Sequence, residues 1–382
     1  MQKKLIALAV AGLAAAPVFA QSNVTIYGVA DATFDVINVS GGAVAANNVN
    51  LNRVTTNSSL IGFKGAEDLG NGLKAVFQFE SAVGFDNLGG LGATRDSYVG
   101  AAGGFGTVIA GNLTGPTRLV GATMDVNAGS TGIGANSGLL GKLGNVLTGR
   151  FDSTNTGYAA TSQVVNAVAR SSTQTSGFDT RLANAVAYVS PTFSGLTFIG
   201  GYVANENKTN GGPNTSAYDL GLTYGNGPIW AALTHSEVDT KTNVATKPKN
   251  TRVAFKYDFG AADVRVLWDS TKVDTNAGLN AKQNVWGLGT AIKAGAAGKV
   301  IAQYYKANDV TGTGLGSGSA TGANLFELGY EHSLSKRTIL KADYARLDNK
   351  SSAAYDFGVS SSGLTSAGAR VSGLQVGLRH SF

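Results

Sequence analysis

The sequence predicts an all-β fold, a transmembrane antiparallel β-barrel of about 16 strands with short periplasmic turns and long extracellular loops. Three observations carry that prediction: an alternating carboxyl-terminal strand that ends on an aromatic, an amino-terminal export segment, and a chain-wide rhythm of paired strands. In the last ten residues Leu374, Val376, Leu378, His380 and Phe382 share one face, while Gln375, Gly377, Arg379 and Ser381 share the other. A strand reads this way when one face meets lipid and the other meets water. The alternative on these residues alone is a half-buried edge strand of a soluble sandwich.

At the other end Lys3 and Lys4 precede an apolar run from Leu5 to Phe19 that closes on Val18-Phe19-Ala20 before Gln21. That pattern predicts a secretory signal peptide over residues 1–20, cut between Ala20 and Gln21. As a membrane anchor the run is short, contains Gly12 and Pro17, and is followed by no stop-transfer charges. The remaining residues, 21–382, are expected to form one barrel, since no Pro-rich or single-charge linker divides them.

Composition narrows the class further. Charged residues make up 14% of the chain against about 25% in ordinary soluble domains, yet no second run is apolar enough for a spanning helix. The 53 glycines disfavour an all-α reading. The absence of cysteine excludes thiol redox chemistry and disulfides. A net charge of +6 would ordinarily suggest nucleic acid, but export makes lipopolysaccharide phosphates the expected polyanion.

The rhythm is a strand, a tight turn rich in Gly or Asp, a second strand, and then a long polar connection. After a first strand over Val24 to Ile37, hairpins are expected at Leu60–Glu67 with Leu73–Val83, Asp96–Ala102 with Thr107–Asn112, and Leu182–Ser190 with Leu196–Ala204. Others follow at Ala217–Tyr224 with Ile229–Glu237, Arg252–Phe259 with Val264–Asp274, Asn284–Lys293 with Lys299–Asn308, and Ala323–His332 with Arg337–Asp348. Polar connections are expected over 38–52, 84–94, 113–179, 205–216, 238–250, 275–283, 309–322 and 349–372. Short turns on one side and long loops on the other are the asymmetry of an outer-membrane barrel.

Within strands the period is two: Val253, Phe255, Tyr257 and Phe259 oppose Arg252, Ala254, Lys256 and Asp258. A barrel this wide cannot be filled by its own wall, so the charged face should border water. Alternation places Lys64, Lys74, Gln78 and Glu80 on the lumen wall, and Asp31 likewise. Tyr188, Phe193, Tyr224, Trp230, Trp268 and Trp286 are candidates for interfacial aromatic girdles.

The residues that carry a family likeness are Val24 to Asp31, Gly62 to Glu80, Gly103-Gly104-Phe105-Gly106-Thr107 and Gly377-Leu378-Arg379-His380-Ser381-Phe382. Together they resemble the Gram-negative general porins of the β-proteobacterial and neisserial branch. The resemblance implies a homotrimer of 16-stranded barrels, each a separate pore for small hydrophilic solutes, with the third outer loop folded inward. It implies as partners the outer-membrane lipid and lipopolysaccharide and the outer-membrane assembly machinery, with the alternating end from Leu374 to Phe382 as insertion signature, and no cofactor.

On that reading the constriction lies within 113–179. Between Leu113 and Arg150 the charges are Arg118, Asp125, Lys142 and Arg150, one acid against three bases. Members of the family commonly carry a basic residue where this chain has Asn112. Arg53 and Arg95 match basic wall positions of the family. Such a set would impose a transverse field, which low-dielectric walls focus, and the basic bias predicts a mild anion preference.

Other functions are weighed on the same residues. A barrel hydrolase needs a base beside its nucleophile, and only His235, His332 and His380 are available. His235 and Ser236 are adjacent in a strand and point to opposite faces. A substrate-selective channel would need a binding ladder, and an adhesin would need recognition loops beyond the Gly-, Ser- and Thr-rich 309–322. Gly141-Lys142 is followed by Leu143 where a phosphate loop needs Ser or Thr. Three distant histidines make a structural zinc site improbable, while a calcium ion among loop carboxylates stays open.

Overall fold

The computed structural model describes residues 23–84, 86, 92, 94–142, 178–204, 215–240, 246–275, 280–312 and 320–382. Seventeen strand segments form one antiparallel sheet. They are β1 (Asn23–Ser40), β2 (Asn50–Thr55), β3 (Leu60–Gly70), β4 (Leu73–Ala82), β5 (Ser97–Gly103), β6 (Gly106–Thr114), β7 (Arg181–Val189) and β8 (Leu196–Val203). The sheet continues with β9 (Thr215–Asn226), β10 (Ile229–Thr240), β11 (Thr246–Asp258), β12 (Ala262–Thr275) and β13 (Asn280–Ala294). It ends with β14 (Gly298–Ala307), β15 (Ala323–Ser333), β16 (Thr338–Asn349) and β17 (Arg370–Ser381).

Apart from β2 and β3, each strand pairs with its neighbour in sequence, and β1 closes the ring on β17 with Asp31 opposite Arg379. On its other edge β1 meets two segments, β2 along Thr33 to Asn38 and β3 along Asn23 to Val29. These two segments occupy one position in the wall, so the 17 segments make a closed barrel of 16 strands. The break between them turns at Asn57, whose φ is 43°, and its Nδ2 donates to Asp31 Oδ1 at 3.0 Å. Here the structure departs from the sequence reading, which ran a polar connection through 38–52 and missed β2.

Turn chemistry sets the short ends. Asn71 and Gly72 both have positive φ, 52° and 76°, the geometry that lets a two-residue loop follow the twist of a hairpin. The opposite ends carry the longer connections, but β10 to β13 run on into the ranges 238–250 and 275–283 expected to be polar connections, leaving only 241–245 and 276–279 between strands.

Alternation now acquires its two environments. Val376 is 61% exposed while Gln375 beside it is 1% exposed. Leu374, Leu378 and Phe382 lie on the same outer face, as do Ile26, Phe34, Phe63, Phe79, Phe255 and Leu328. Each large apolar side chain forgoes roughly 1.5–3 kcal/mol when left in water, so a continuous outer belt is stable against hydrocarbon and costly against solvent. His380 sits in this row with Nδ1 2.9 Å from Thr338 Oγ1.

The apolar core lies inside the ring rather than between layers. Val120, Met124, Ile133, Leu139 and Leu140 from the connection after β6, with Tyr355 and Phe357 from the last connection, pack on inward wall residues such as Leu325, Leu347 and Val371. Trp230, expected in a girdle, packs against this inner cluster instead, because it shares the face of buried Ala232 and Thr234. Trp268 and Trp286 face each other across β12 and β13, 6.2 Å between ring centroids.

Candidate functional site: a constricted lumen

After β6 the chain turns into the lumen and forms a short helix, α1 (Pro116–Met124). Pro116 opens it, where a missing N–H and a fixed φ suit the first turn. Pro116, Thr117, Val120, Gly121 and Met124 form its buried face, while Leu119 and Ala122 stay exposed. The buried face rests on β9 to β12.

Polar contacts fasten that face. Thr117 donates through Oγ1 to Asp219 Oδ1 at 2.6 Å, and Ser236 Oγ donates to the same oxygen at 2.7 Å. Arg252 is wholly buried and spans three partners: Asp269 Oδ2 at 2.8 Å, Asp179 Oδ1 at 3.0 Å and the Thr117 carbonyl at 2.6 Å. Gly121 allows this approach, since a Cβ there would lie 2.4 Å from an Arg252 nitrogen. Burying a guanidinium is costly unless it is paired and hydrogen-bonded, and two carboxylates flank this one.

Past α1 the loop is held by a second set of acids. Asn127 Nδ2 donates to Glu327 Oε2 at 2.8 Å, and Gln303 Nε2 donates to the same oxygen at 2.6 Å and to the Gly134 carbonyl at 2.8 Å. The Ala128 amide donates to Glu331 Oε1 at 2.8 Å. Asp125 belongs to this assembly: Oδ2 accepts the Asn136 amide at 2.7 Å and Oδ1 the Asn127 amide at 2.9 Å. Burial raises its pKa, and the hydrogen bonds from Asn136, Asn127 and Gln303 oppose the rise. Asp125 is therefore placed between loop and wall, not on the edge that faces open space.

The other wall carries the cations. Arg53 donates to Asp35 Oδ2 at 3.1 Å and to the carbonyls of Ser360 and Ser361, so it ties β2 to the last connection. Arg95 reaches Glu80 at 3.4 Å, and Arg181 reaches Asp96 at 2.5 Å. Tyr27 donates to Glu80 at 2.8 Å. Lys64, whose ammonium lies 4.9 Å from the Tyr27 ring centroid, and Lys74 line one hollow near the short-turn end with Gln78 and Tyr98.

Arg118 leans from α1 to the Asp179 carbonyl. Burial lowers the pKa of Arg95 and Arg118, and the Arg181 guanidinium pushes both the same way. Three guanidinium groups thus crowd one stretch of the lumen, and all remain charged at any ordinary pH.

Several of these ion pairs, though not those of the buried Arg252, are asymmetric. Side-chain exposure is 32% for Arg118 against 5% for Asp179, 20% for Arg53 against 0% for Asp35, and 17% for Arg379 against 0% for Asp31. Long cationic side chains end nearer the water than the short carboxylates that neutralise them. Asp96 and Asp263 reach about as far as their arginines do.

Lys142 is half-buried at the end of the described part of the loop. Burial lowers its pKa to about 8, against the pull of Asp179 and Asp356. Arg150 lies outside the described residues, as do Ala20 and Gln21. Arg252, Asp219, Gln303 and Glu327 were not singled out from sequence as loop anchors. The one available signal was the inward parity of Arg252 and Glu327, which does not say that a loop will cover them.

No histidine faces the lumen. His235, His332 and His380 all lie on the outer face by alternation, and His235 Nδ1 is 2.9 Å from Thr251 Oγ1 rather than near a carboxylate. Among the described residues no cluster of His, Asp and Glu is disposed to hold a metal.

Residues 7–352 match the family described as Gram-negative porin. Outer membrane porin protein 32 of Delftia acidovorans is 31% identical over 100% of both chains. The major outer membrane protein P.IB of Neisseria lactamica is 31% identical over 88% of this chain and 91% of its own length. Among solved structures, the anion-selective porin from Comamonas acidovorans matches with a TM-score of 0.75 at 28% identity, covering 95% of this chain and 100% of that one.

Proposed function

As the chain belongs to the Gram-negative porin family, we propose that it is a general diffusion channel of the outer membrane, passing small hydrophilic solutes and ions with a mild anion preference. The observation that carries the anion preference is the exposure asymmetry: Arg118, Arg53 and Arg379 reach the lumen while Asp179, Asp35 and Asp31 stay sunken. A narrow section with low-dielectric walls focuses the field of such charges, so permeating chloride meets attraction where potassium meets repulsion. Arg53, Arg95 and Arg118, with Lys64 and Lys74 farther along the wall, are the residues assigned to this field. Arg150 would add to it.

The reading includes export by residues 1–20 with cleavage between Ala20 and Gln21, and assembly as a homotrimer in contact with lipopolysaccharide. Leu374, Val376, Leu378, His380 and Phe382 would be the segment offered to the assembly machinery. Size, not a binding ladder, would limit the solutes, and no chemistry is done on them. Single-channel recording tests this directly. Conductance rising in groups of three steps, unsaturated by sugars that pass, is expected; proteoliposomes impermeable to ions and sugars would overturn it.

A further inference from the structure

The outer wall carries a feature that the channel does not use. Beyond the apolar belt, toward the long loops, three lysines stand opposite one another on neighbouring strands: Lys249 of β11 pairs with Lys272 of β12, which pairs with Lys282 of β13. All three point outward, because their chain neighbours Asn250, Thr271 and Gln283 are buried on the inner face. Like charges directly opposed across a sheet destabilise it.

Neighbouring acids offset this in part. Lys249 Nζ is 3.1 Å from Glu237, and Lys272 Nζ is 3.1 Å from Asp274. Asp239, Lys247 and Lys306 share the same outer face. Five lysines therefore meet three carboxylates, and exposed ion pairs of this kind are weak enough to open toward a better partner.

Depth argues for what that partner is. Four residues down the same strands, Trp268 and Trp286 face each other on the outer wall, and tryptophan settles at the membrane–water interface. Four strand residues, tilted as barrel strands are, climb roughly 10 Å. The lysine row thus stands at the height of phosphates just outside the hydrocarbon. The opposite arc offers no equivalent: the outward residues at the loop ends of β1, β2 and β4 include Asn38, Asn50, Asn52 and Ser81, all uncharged.

The geometry points to a site for the phosphate groups of an outer-leaflet lipid on the outer face of β11 to β13, with Lys249, Lys272 and Lys282 as its floor. It rests on the outer-membrane reading above.

The test uses full-length protein in detergent micelles, titrated with bisphosphorylated lipid A, with dephosphorylated lipid A, and with inorganic phosphate. The triple variant Lys249→Gln, Lys272→Gln, Lys282→Gln should bind bisphosphorylated lipid A about a hundredfold more weakly, roughly fivefold per lysine near an anionic surface. The corresponding triple Lys→Arg variant should retain binding, and dephosphorylated lipid A should not distinguish the Gln variant from the parent. Equal affinity of parent and Gln variant for bisphosphorylated lipid A overturns the site. Inorganic phosphate competing at equal concentration overturns a lipid as its ligand. Single-channel conductance of the same preparations, expected unchanged in the Gln variant, separates failure of this site from failure of the channel reading.

Discussion

The lumen has two walls built by the same alternation, and they end in opposite states. On β9 to β15 several inward charges are sealed beneath a loop: Arg252 bonds Asp179 and Asp269, and Glu327 meets Asn127 and Gln303, all out of reach of water. On the wall from β2 to β7, Arg53, Arg95 and Arg181 meet acids but keep part of each side chain in the lumen. Alternation decides which way a charge points. Whether a loop covers it then decides whether it anchors structure or addresses a permeating ion.

If that division holds, the sealed wall should fail by stability and the open wall by selectivity. The largest effect is expected for Arg252→Met, which leaves Asp269 buried without its cation and Asp179 with only the more distant Arg118, at 3.9 Å. Breaking a buried pair in this way costs about 3–5 kcal/mol, and thermal unfolding in detergent should register it together with a noisier, larger conductance as the loop loosens. Unchanged melting and conductance would mean that Arg252 does not hold the loop.

Gly121→Val tests the same wall by volume rather than charge. Its Cβ would press on the Arg252 guanidinium at 2.4 Å, and overpacking of this kind costs about 1–3 kcal/mol. The helix should lift and single-channel current should rise, with a smaller loss of stability than for Arg252→Met.

Facing the lumen, Arg53→Gln and Arg95→Gln on the open wall combined with Arg118→Gln on α1 should change melting little apart from the loop contacts that Arg53 makes, since partly exposed pairs contribute about 0–1 kcal/mol each. The chloride-to-potassium permeability ratio should fall toward unity. A ratio left intact would assign selectivity elsewhere in the chain.

The smallest effect is expected at Lys142. Its folded pKa of about 8 lies below the free lysine value of 10.5, so between these values the unfolded chain binds the extra proton and this group's contribution to stability rises with pH. Its charge in the lumen is lost over the same window. Anion preference of the parent should therefore weaken slightly from pH 7 to 9, and Lys142→Met should lack that change. A parent ratio flat across that range would place the ammonium away from the permeation path.

The barrel was legible because period two needs only neighbours. Val253 against Arg252, or Leu374 against Gln375, declares its faces without reference to the rest of the chain. β2 was not legible: Leu51 turns inward against the core and Val54 outward, while Asn50 and Asn52 interrupt the outer face, so six residues give no clean alternation. The wall cations Lys64, Lys74, Arg53 and Arg95 could be named from parity or from family position. The sealed wall could not, because Asn127 with Glu327 or Thr117 with Asp219 join residues far apart in sequence. Asp125 shows the limit most plainly, since sequence places it in the constricting loop but cannot say which side of that loop it serves.

Anion preference rests on lumen cations that outreach their acids, Arg53 over Asp35, Arg95 over Glu80 and Arg118 over Asp179. Reversal potential across a tenfold potassium chloride gradient in a planar bilayer tests this most directly. The sign of a chloride-preferring pore is predicted for the parent, moving toward zero in the Arg53, Arg95 and Arg118 triple variant. A potassium-preferring sign in the parent would contradict it.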